Sequence, residues 1–365
     1  MIYLDHAATT APEHEVIEAV SECMKTLTAN PSAAYSASAP CRAKMIEVKK
    51  QIAEFIGAAP QEIFFTSGGT ESNSQAIFGA SGKHIVIGAA EHSSIFAAAA
   101  NFKCEISIAH ADSNGIITPE AVIAAIRPET ALVSIQYVNN ETGIISPINE
   151  IAEVLKSRKI PFHTDAVAAF GHMPINMTNI TMASVSAHKF YGPRGIGFIY
   201  IKQGFPAKPL IAGEQENHRR GGTENLPGIC GMGAAIKALP KDFSTELERL
   251  QRLRDDFMRI LRSKCPKIME TVTEKNVYPG IISLRLPGLP SEKAITLLDM
   301  RGIYVSGGAA CSASSHSPSH VLISMGMNVN EAFEVIRISM GLHTTADEMK
   351  ITADIISDIY INNPF

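Results

Sequence analysis

The chain lacks a basic stripe. Only 19% of its 365 residues are charged, Lys and Arg never gather into a run, and the formal net charge is −4. That absence argues against direct binding of nucleic acid. No apolar stretch approaches the length of a bilayer span, so no membrane insertion is expected. The N-terminus, MIYLDHAATT, carries an acid and no basic leader, so it is expected to be folded protein from the second residue, not a signal peptide. The six cysteines include no CxxC pair. Without a secretory leader, this predicts reduced thiols in a cytoplasmic protein and no disulfide framework. Internal repeats, low-complexity tracts and long linkers are also missing.

What is present is a large apolar fraction, 45%, enough for two lobes. From about residue 13 to 202 the pattern alternates. Met45, Val48, Ile52, Phe55 and Ile56 recur at helical spacing within 43–56, whereas EIFFT (62–66) and HIVIG (84–88) are short apolar strands. CEISIA (104–109), ALVSIQYV (131–138), IPFHTD (160–165), MASVSA (182–187) and IGFIYI (196–201) continue the series, with helices over 118–126 and 147–158. Alternating strand and helix predicts an α/β fold: a mainly parallel sheet sandwiched by helices. From about 235 the texture changes to a long charged helix (241–262) and short strands at 280–288, 302–308 and 335–341, read as a smaller α+β lobe. The expected division is a large domain over 13–234 and a small domain made of 1–12 and 235–365.

In such sheets, sites form beyond the carboxyl ends of the strands. Thr66–Thr70, Glu91–His92, Asn139–Asn140, Asp165 and Ser186–Lys189 all sit there. TSGGTESN (66–73) places two glycines at a strand-to-helix turn, where the free N–H groups suit a phosphate, although the same residues would also serve as a plain helix cap. Asp165 can pair with a cationic ring nitrogen, or cap the next helix. Lys189, at a strand end before GPRG, has a partly desolvated amine that can form a Schiff base, unless it escapes to solvent. Together the three are the anchors of a pyridoxal phosphate (PLP) site, over which His92 could lie. Arg337, in VIRISMG, alternates with Ile336 and Ile338, so it wants a carboxylate: a substrate's, or one within the protein. Cys311 lies in SGGAACSASSHSPSH, whose composition predicts an exposed loop and an accessible thiol. His316 and His320 have i,i+4 spacing, but Pro318 breaks the helix that would align them on a metal, so no metal is expected.

The motifs YLDHAATT, NPS (30–32), FTSGGTESN, EHSS, VSIQYVNNETG, FHTDAV, SAHKFYGPRGIG, RRGGTEN (219–225), PSHVL and IRISMGLHTT, in this order, resemble the cysteine desulfurases, PLP enzymes of the class V aminotransferase group with an aspartate-aminotransferase-like fold. The resemblance implies that Lys189 carries PLP, that Asp165 pairs with its ring nitrogen and that His92 stacks on the ring. It implies that Thr70, Ser186 and His188 hold the phosphate, with Gly69 allowing close approach. Thr223 would reach the phosphate of a neighbouring subunit, which implies a homodimer. Asn140 and Arg337 would bind the carboxylate of L-cysteine, with Asn30 close by. Cys311 would take the sulfur as a persulfide for an acceptor protein in iron–sulfur cluster assembly or tRNA thiolation.

The chain departs from the family in three places: Ala168 where the family usually has a Gln beside the cofactor, Tyr35 where it has His, and Ser38 where it has Gly. A selenocysteine lyase or another class V enzyme that does not use Cys311 is the alternative activity. Lys189 speaks against a non-catalytic relative.

Overall fold

The computed structural model describes residues 1–112, 114–272, 276–307 and 317–362. Its strands are β1 (Ile2–Tyr3), β2 (Ile63–Thr66), β3 (His84–Gly88), β4 (Glu105–Ala109), β5 (Leu132–Ser134), β6 (Phe162–Asp165), β7 (Met182–Ser186), β8 (Gly197–Ile201), β9 (Met269–Glu270), β10 (Ile281–Arg285), β11 (Ile303–Tyr304), β12 (Ser306–Gly307) and β13 (Val335–Ser339). Seven of them form one sheet in the order β2-β8-β7-β6-β5-β3-β4. Every pairing from β4 across to β7 is parallel; β8 alone runs against its neighbours. The mainly parallel sheet expected from the alternation is therefore present, with one reversed strand inserted near its edge.

The strands are buried on both faces, as a helix-covered parallel sheet requires. Successive side chains serve opposite cores. Ile85, Ile87 and Leu132 pack with Ala76, Ile77, Ile95 and Ala98 from helices Gly69–Phe78 and Ser93–Asn101, whereas Val86 and Val133 join the core of helices Ala39–Ile56 and Ile148–Ser157. Within Ala39–Ile56, Met45, Val48, Ile52 and Ile56 are buried at the spacing read from the sequence, and Gly57, at φ +69°, ends the helix in the left-handed conformation.

The run ALVSIQYV stops pairing as a full strand at Ser134, four residues short of the expected end. Ile135 and Tyr137 still donate to His163 and Asp165 carbonyls on the β6 side. On the other side the Gln136 N–H donates to the Glu91 carboxylate at 2.6 Å, in place of a strand carbonyl. A side chain has replaced backbone in the ladder at the point where the site begins.

The smaller sheet, β12-β13-β10-β9, is antiparallel. Helices Phe243–Lys264 and Ala346–Asn362 pack against each other beside it. Ile336 and Ile338 enter the core, while Arg337 projects to the opposite face, where its cross-strand partners are Ser283 and Ser306. The N-terminal segment joins both regions. β1 pairs in parallel with β11, Asp5 bridges to Ser339, and the carbonyls of Ala7 and Ala8 reach Lys189. No described helix is long and apolar enough to cross a membrane.

After β8, Glu216, Asn217 and His218 hold φ values of 50°, 54° and 62°. Three non-glycine residues in succession are left-handed, a conformation costing roughly 1–2 kcal/mol each for ordinary side chains. Glu216 secures the turn: buried, it accepts from Lys49 Nζ at 2.7 Å and from the Phe65 N–H at 3.1 Å. His218 is exposed, so its side chain offers little in return. His218→Gly should stabilise the chain by roughly 0.5–1 kcal/mol, the relief of strain less the entropy of the glycine. The midpoint of urea unfolding checks this.

Candidate active site

The carboxyl ends of β2, β3, β6 and β7, and the segment after β5, converge on a cavity of about 490 Å³. Its walls include Gly69, Thr70, His92, Asn140, Asp165, Ser186, His188, Lys189 and Arg337. Nine residues named from the sequence thus share one space. A larger groove, about 1140 Å³, runs along helix His14–Thr26 and the turn at Gly192–Arg194. Its walls include Val16, Ile17, Val20 and Met24 and hold none of those nine residues, so the smaller cavity is the candidate site.

Lys189 closes the short turn after β7, and its Nζ donates to the carbonyls of Ala7 at 2.6 Å and Ala8 at 2.8 Å. Asp165 is the last residue of β6 and 2% exposed. Its Oδ2 accepts from Asn73 Nδ2 at 2.7 Å and its Oδ1 from the Val167 N–H at 3.0 Å. Asn73 also donates to Ser94 Oγ at 3.0 Å, and Ser94 Oγ lies 2.8 Å from His92 Nδ1. The Ser94 N–H also donates to that Nδ1, at 3.2 Å. One buried chain of hydrogen bonds thus fixes His92 relative to Asp165.

At the other end, helix Gly69–Phe78 begins with N–H groups that have no intrahelical acceptor. A side chain on Gly69 would come within 2.7 Å of Val167 Cγ2, so only glycine leaves this wall open. Burial, with Lys189 and Arg194 nearby, lowers the His188 pKa to about 4, so the imidazole is neutral and its Nδ1 lies 3.2 Å from Thr9 Oγ1. Hydroxyls of Thr70 and Ser186 complete this end. The donor set suits an anion such as phosphate at the helix start, a cationic aromatic nitrogen at Asp165, and a carbonyl carbon at Lys189.

Arg337 is 1% exposed. Nη2 donates to Asp5 Oδ1 at 2.7 Å, Nη1 donates to the Asn140 carbonyl at 2.9 Å, and the buried Nε has no partner among the described residues. Of the two readings open in the sequence, a carboxylate within the protein is present, and the Nε–H is left without a partner among the described residues.

Asn30 and Thr223 do not line this cavity. Both are exposed, and Ser32, beside Asn30, donates to Glu224, beside Thr223, at 3.4 Å. Ala168 does line it, and also borders a small void of about 20 Å³ next to His6, His172 and Tyr278. Cys311 and His316 lie outside the described residues. His320 Nε2 sits 2.9 Å from the Glu91 carbonyl oxygen. Among the described residues no cluster of three or more His, Cys, Asp or Glu side chains is placed to hold a metal ion.

The sequence reading missed Asp5, Asn73 and Glu141, and gave Glu91 a place at a strand end beside His92 but no role. Each lies inside a motif it singled out, and Asn73 follows Gly69 by four residues, one helical turn, which is signal enough to find it. Glu91 is 1% exposed with Oε2 unpaired; burial first, then the Asp165 charge, raises its pKa well above the usual carboxylate range. Glu141 is pushed up to about 7 by burial, against the pull of a Ser319 hydrogen bond, Arg337 and His92.

A raised carboxyl pKa gives stability that is complete below the unfolded value and lost as pH climbs toward the folded one. The Glu91 contribution should therefore erode with a slope of up to about 1.4 kcal/mol per pH unit from roughly pH 4.5 upward. Glu91→Gln keeps the acceptor for Gln136 and cannot ionise. Its stability relative to the parent should rise with pH across that window, as measured by urea unfolding at a series of pH values; a constant offset would show an ionised Glu91.

A sequence profile for the class-V aminotransferases matches residues 2–351. The cysteine desulfurase IscS of Dictyoglomus turgidum is 40% identical, over 98% of this chain and 94% of its own. A solved NifS-like protein superposes with a TM-score of 0.91 at 28% identity, over 99% of this chain and 100% of that one. A solved SspA in complex with cysteine matches at 31% identity with a TM-score of 0.83, over 94% and 100% of the two chains.

Proposed function

The chain belongs to the class-V aminotransferase family, and from that membership we propose that its cavity binds PLP and carries out the cysteine desulfurase reaction: L-cysteine plus the Cys311 thiol gives L-alanine plus a Cys311 persulfide. The observation that carries this reading is the meeting of Lys189, Asp165, His92 and a fully buried Arg337 in one cavity, although the four come from distant parts of the chain.

The residues present fit PLP. The glycine-walled helix start, with Thr70, Ser186 and neutral His188, suits its phosphate; buried Asp165 suits its pyridine nitrogen; Lys189 suits its aldehyde. When bound, PLP supplies an electron-withdrawing ring that acidifies the substrate's Cα–H.

The remaining steps belong to the protein. Arg337 and Asn140 orient the substrate through its carboxylate. The Lys189 amine takes the Cα proton and returns it. His92, held by Ser94 and Asn73, would face the ring when the cofactor is bound. Asp165, which accepts from Asn73 and the Val167 N–H, would hold the ring nitrogen and favour its protonated form. The Cys311 thiolate attacks the substrate sulfur, the S–Cβ bond breaks with its electron pair left on carbon, and Cβ takes up a proton to become the methyl of alanine.

Thr223 is exposed and away from its own cavity, which supports a homodimer in which it completes the partner's phosphate site. The five cysteines among the described residues are all free, in keeping with a reducing cytoplasm where a sulfur acceptor for iron–sulfur cluster assembly or tRNA thiolation would be found.

Incubation of the PLP-loaded protein with L-cysteine, without reductant, should release one alanine per Cys311 and add 32 Da at that residue, roughly the mass of one sulfur, bonded as a persulfide. Cys311→Ala should keep the cofactor and lose sulfur release. Alanine and sulfide output undiminished in that variant would overturn the role of Cys311.

A further inference from the structure

The direction of the Asn140 side-chain amide traces back to main chain. Asn139 Oδ1 accepts from the N–H groups of Glu141 and Thr142, each at 2.9 Å, and from Thr142 Oγ1 at 3.0 Å. Its Nδ2 donates to the Ala90 carbonyl at 2.9 Å. Backbone donors at one end and a backbone acceptor at the other permit only this orientation of Asn139. The same Nδ2 lies 3.1 Å from Gln136 Oε1, so that oxygen is the acceptor. Gln136 Nε2 is then the donor that meets Asn140 Oδ1 at 3.1 Å. Two buried amides thus carry the polarity of the backbone to a third. Gln136 and Asn140 both line the cavity, and among the described residues the Asn140 Nδ2 is the end left to donate.

We propose that Gln136 is a positioning residue: it holds the Asn140 amide with its N–H end toward the substrate, so that the site takes an amine bearing a carboxylate. The proposal rests on the desulfurase reading above, in which Asn140 and Arg337 meet the carboxylate of L-cysteine, and adds what sets the polarity of that contact.

The physical case has three parts. First, an amide has a donor end and an acceptor end of nearly the same shape, and only the donor end suits a carboxylate. An Asn free to turn offers the right end in about half of its population, and a half-populated competent state binds about twofold more weakly than a fully populated one. Second, Arg337 does not make this choice. Its Nη1 donates to the Asn140 carbonyl and so fixes main chain, not the side-chain amide. Third, Gln136 is itself held. Its N–H donates to Glu91 Oε1 at 2.6 Å, and turning its amide over would set one NH2 group against that of Asn139.

The test is the affinity of the PLP-loaded protein for L-alanine, the product, and for L-alaninamide, which has no carboxylate, each read from the change in PLP absorption on titration. Gln136→Glu offers only acceptors, and the two amide donors beside it favour its ionised form. It keeps the bond from Asn139, but it draws the Asn140 Nδ2 toward itself and turns Oδ1 to the ligand. Affinity for L-alanine should fall roughly 10- to 100-fold, the effect of a charge-assisted hydrogen bond that favours the wrong orientation. L-alaninamide, whose neutral amide can pair with either end of Asn140, should bind as it does to the parent. Gln136→Met fills a similar space without choosing an end and should weaken L-alanine only about twofold. Asn140→Ala alone should weaken L-alanine, and adding Gln136→Glu to it should then cost little more, because no amide remains to be turned.

Four results would overturn the proposal: L-alanine bound by Gln136→Glu as tightly as by the parent, equal losses for L-alanine and L-alaninamide, a loss in Gln136→Met as large as in Gln136→Glu, or an undiminished loss in the Asn140→Ala background. Failure of Asn140→Ala alone to weaken L-alanine, or of the unsubstituted protein to bind PLP, would instead remove the reading on which the proposal rests.

Discussion

Lys189→Ala is expected to abolish borohydride-trappable PLP and to lower desulfurase turnover by at least about 10³-fold, within the range seen when a positioned proton-transfer group is lost. On the proposed reading two functions end together: the covalent hold on the cofactor and the base that exchanges the Cα proton. The fold should survive. Lys189 Nζ donates to the partly buried backbone carbonyls of Ala7 and Ala8, which water can serve once the side chain is gone. Far-ultraviolet circular dichroism should therefore match the parent's. Size-exclusion chromatography with light scattering tests the dimer in the same sample. PLP still trapped in the variant would place the attachment elsewhere.

Arg337→Ala should act on both stability and substrate. The guanidinium is buried, and its removal leaves the Asp5 carboxylate, the Asn140 carbonyl and the space around Ser283 and Ser306 without their partner. Breaking such a pair from one side typically costs about 3–5 kcal/mol, so thermal unfolding should begin well below the parent's temperature. Loss of a charge-assisted bond to the substrate's carboxylate, worth about 1.5–3 kcal/mol, should lower kcat/KM for L-cysteine roughly 10- to 150-fold, mostly through KM. Arg337→Lys separates the two effects. Its ammonium keeps the charge and can reach Asp5 or Asn140, but lacks the planar fork, so stability should recover further than KM. A variant with an unchanged KM would show that the substrate's carboxylate binds elsewhere.

Much of the site was legible in the linear sequence because the fold places it at strand ends. Thr70, His92, Asp165, Ser186 and Lys189 each follow an apolar run, and a parallel sheet carries the ends of such runs to one edge. Arg337 was legible as an arginine misplaced between isoleucines. The parts that were not legible depend on contacts between residues far apart in the chain. Nothing near Asp5 marks it as the partner of a residue 332 positions away, and nothing near Glu91 says that its carboxylate takes the place of a strand carbonyl for Gln136. ALVSIQYV has the composition of an eight-residue strand, and only that substitution in the ladder ends it at Ser134.

The sequence by itself determined the chemistry on offer: an amine, a carboxylate, a histidine and a glycine-opened helix start, each at the end of an apolar strand, together with a thiol among small residues. Apolar periodicity and turn residues act over a few neighbours, so these features can be read along the chain. Tertiary structure alone decided the state and setting of those groups. It raised the pKa of Glu91, kept the His188 imidazole neutral, and set Arg337 against the Asp5 carboxylate and the Asn140 carbonyl. Desolvation and charge pairing act through space, and both depend on which distant residues the folded chain brings within a few ångströms.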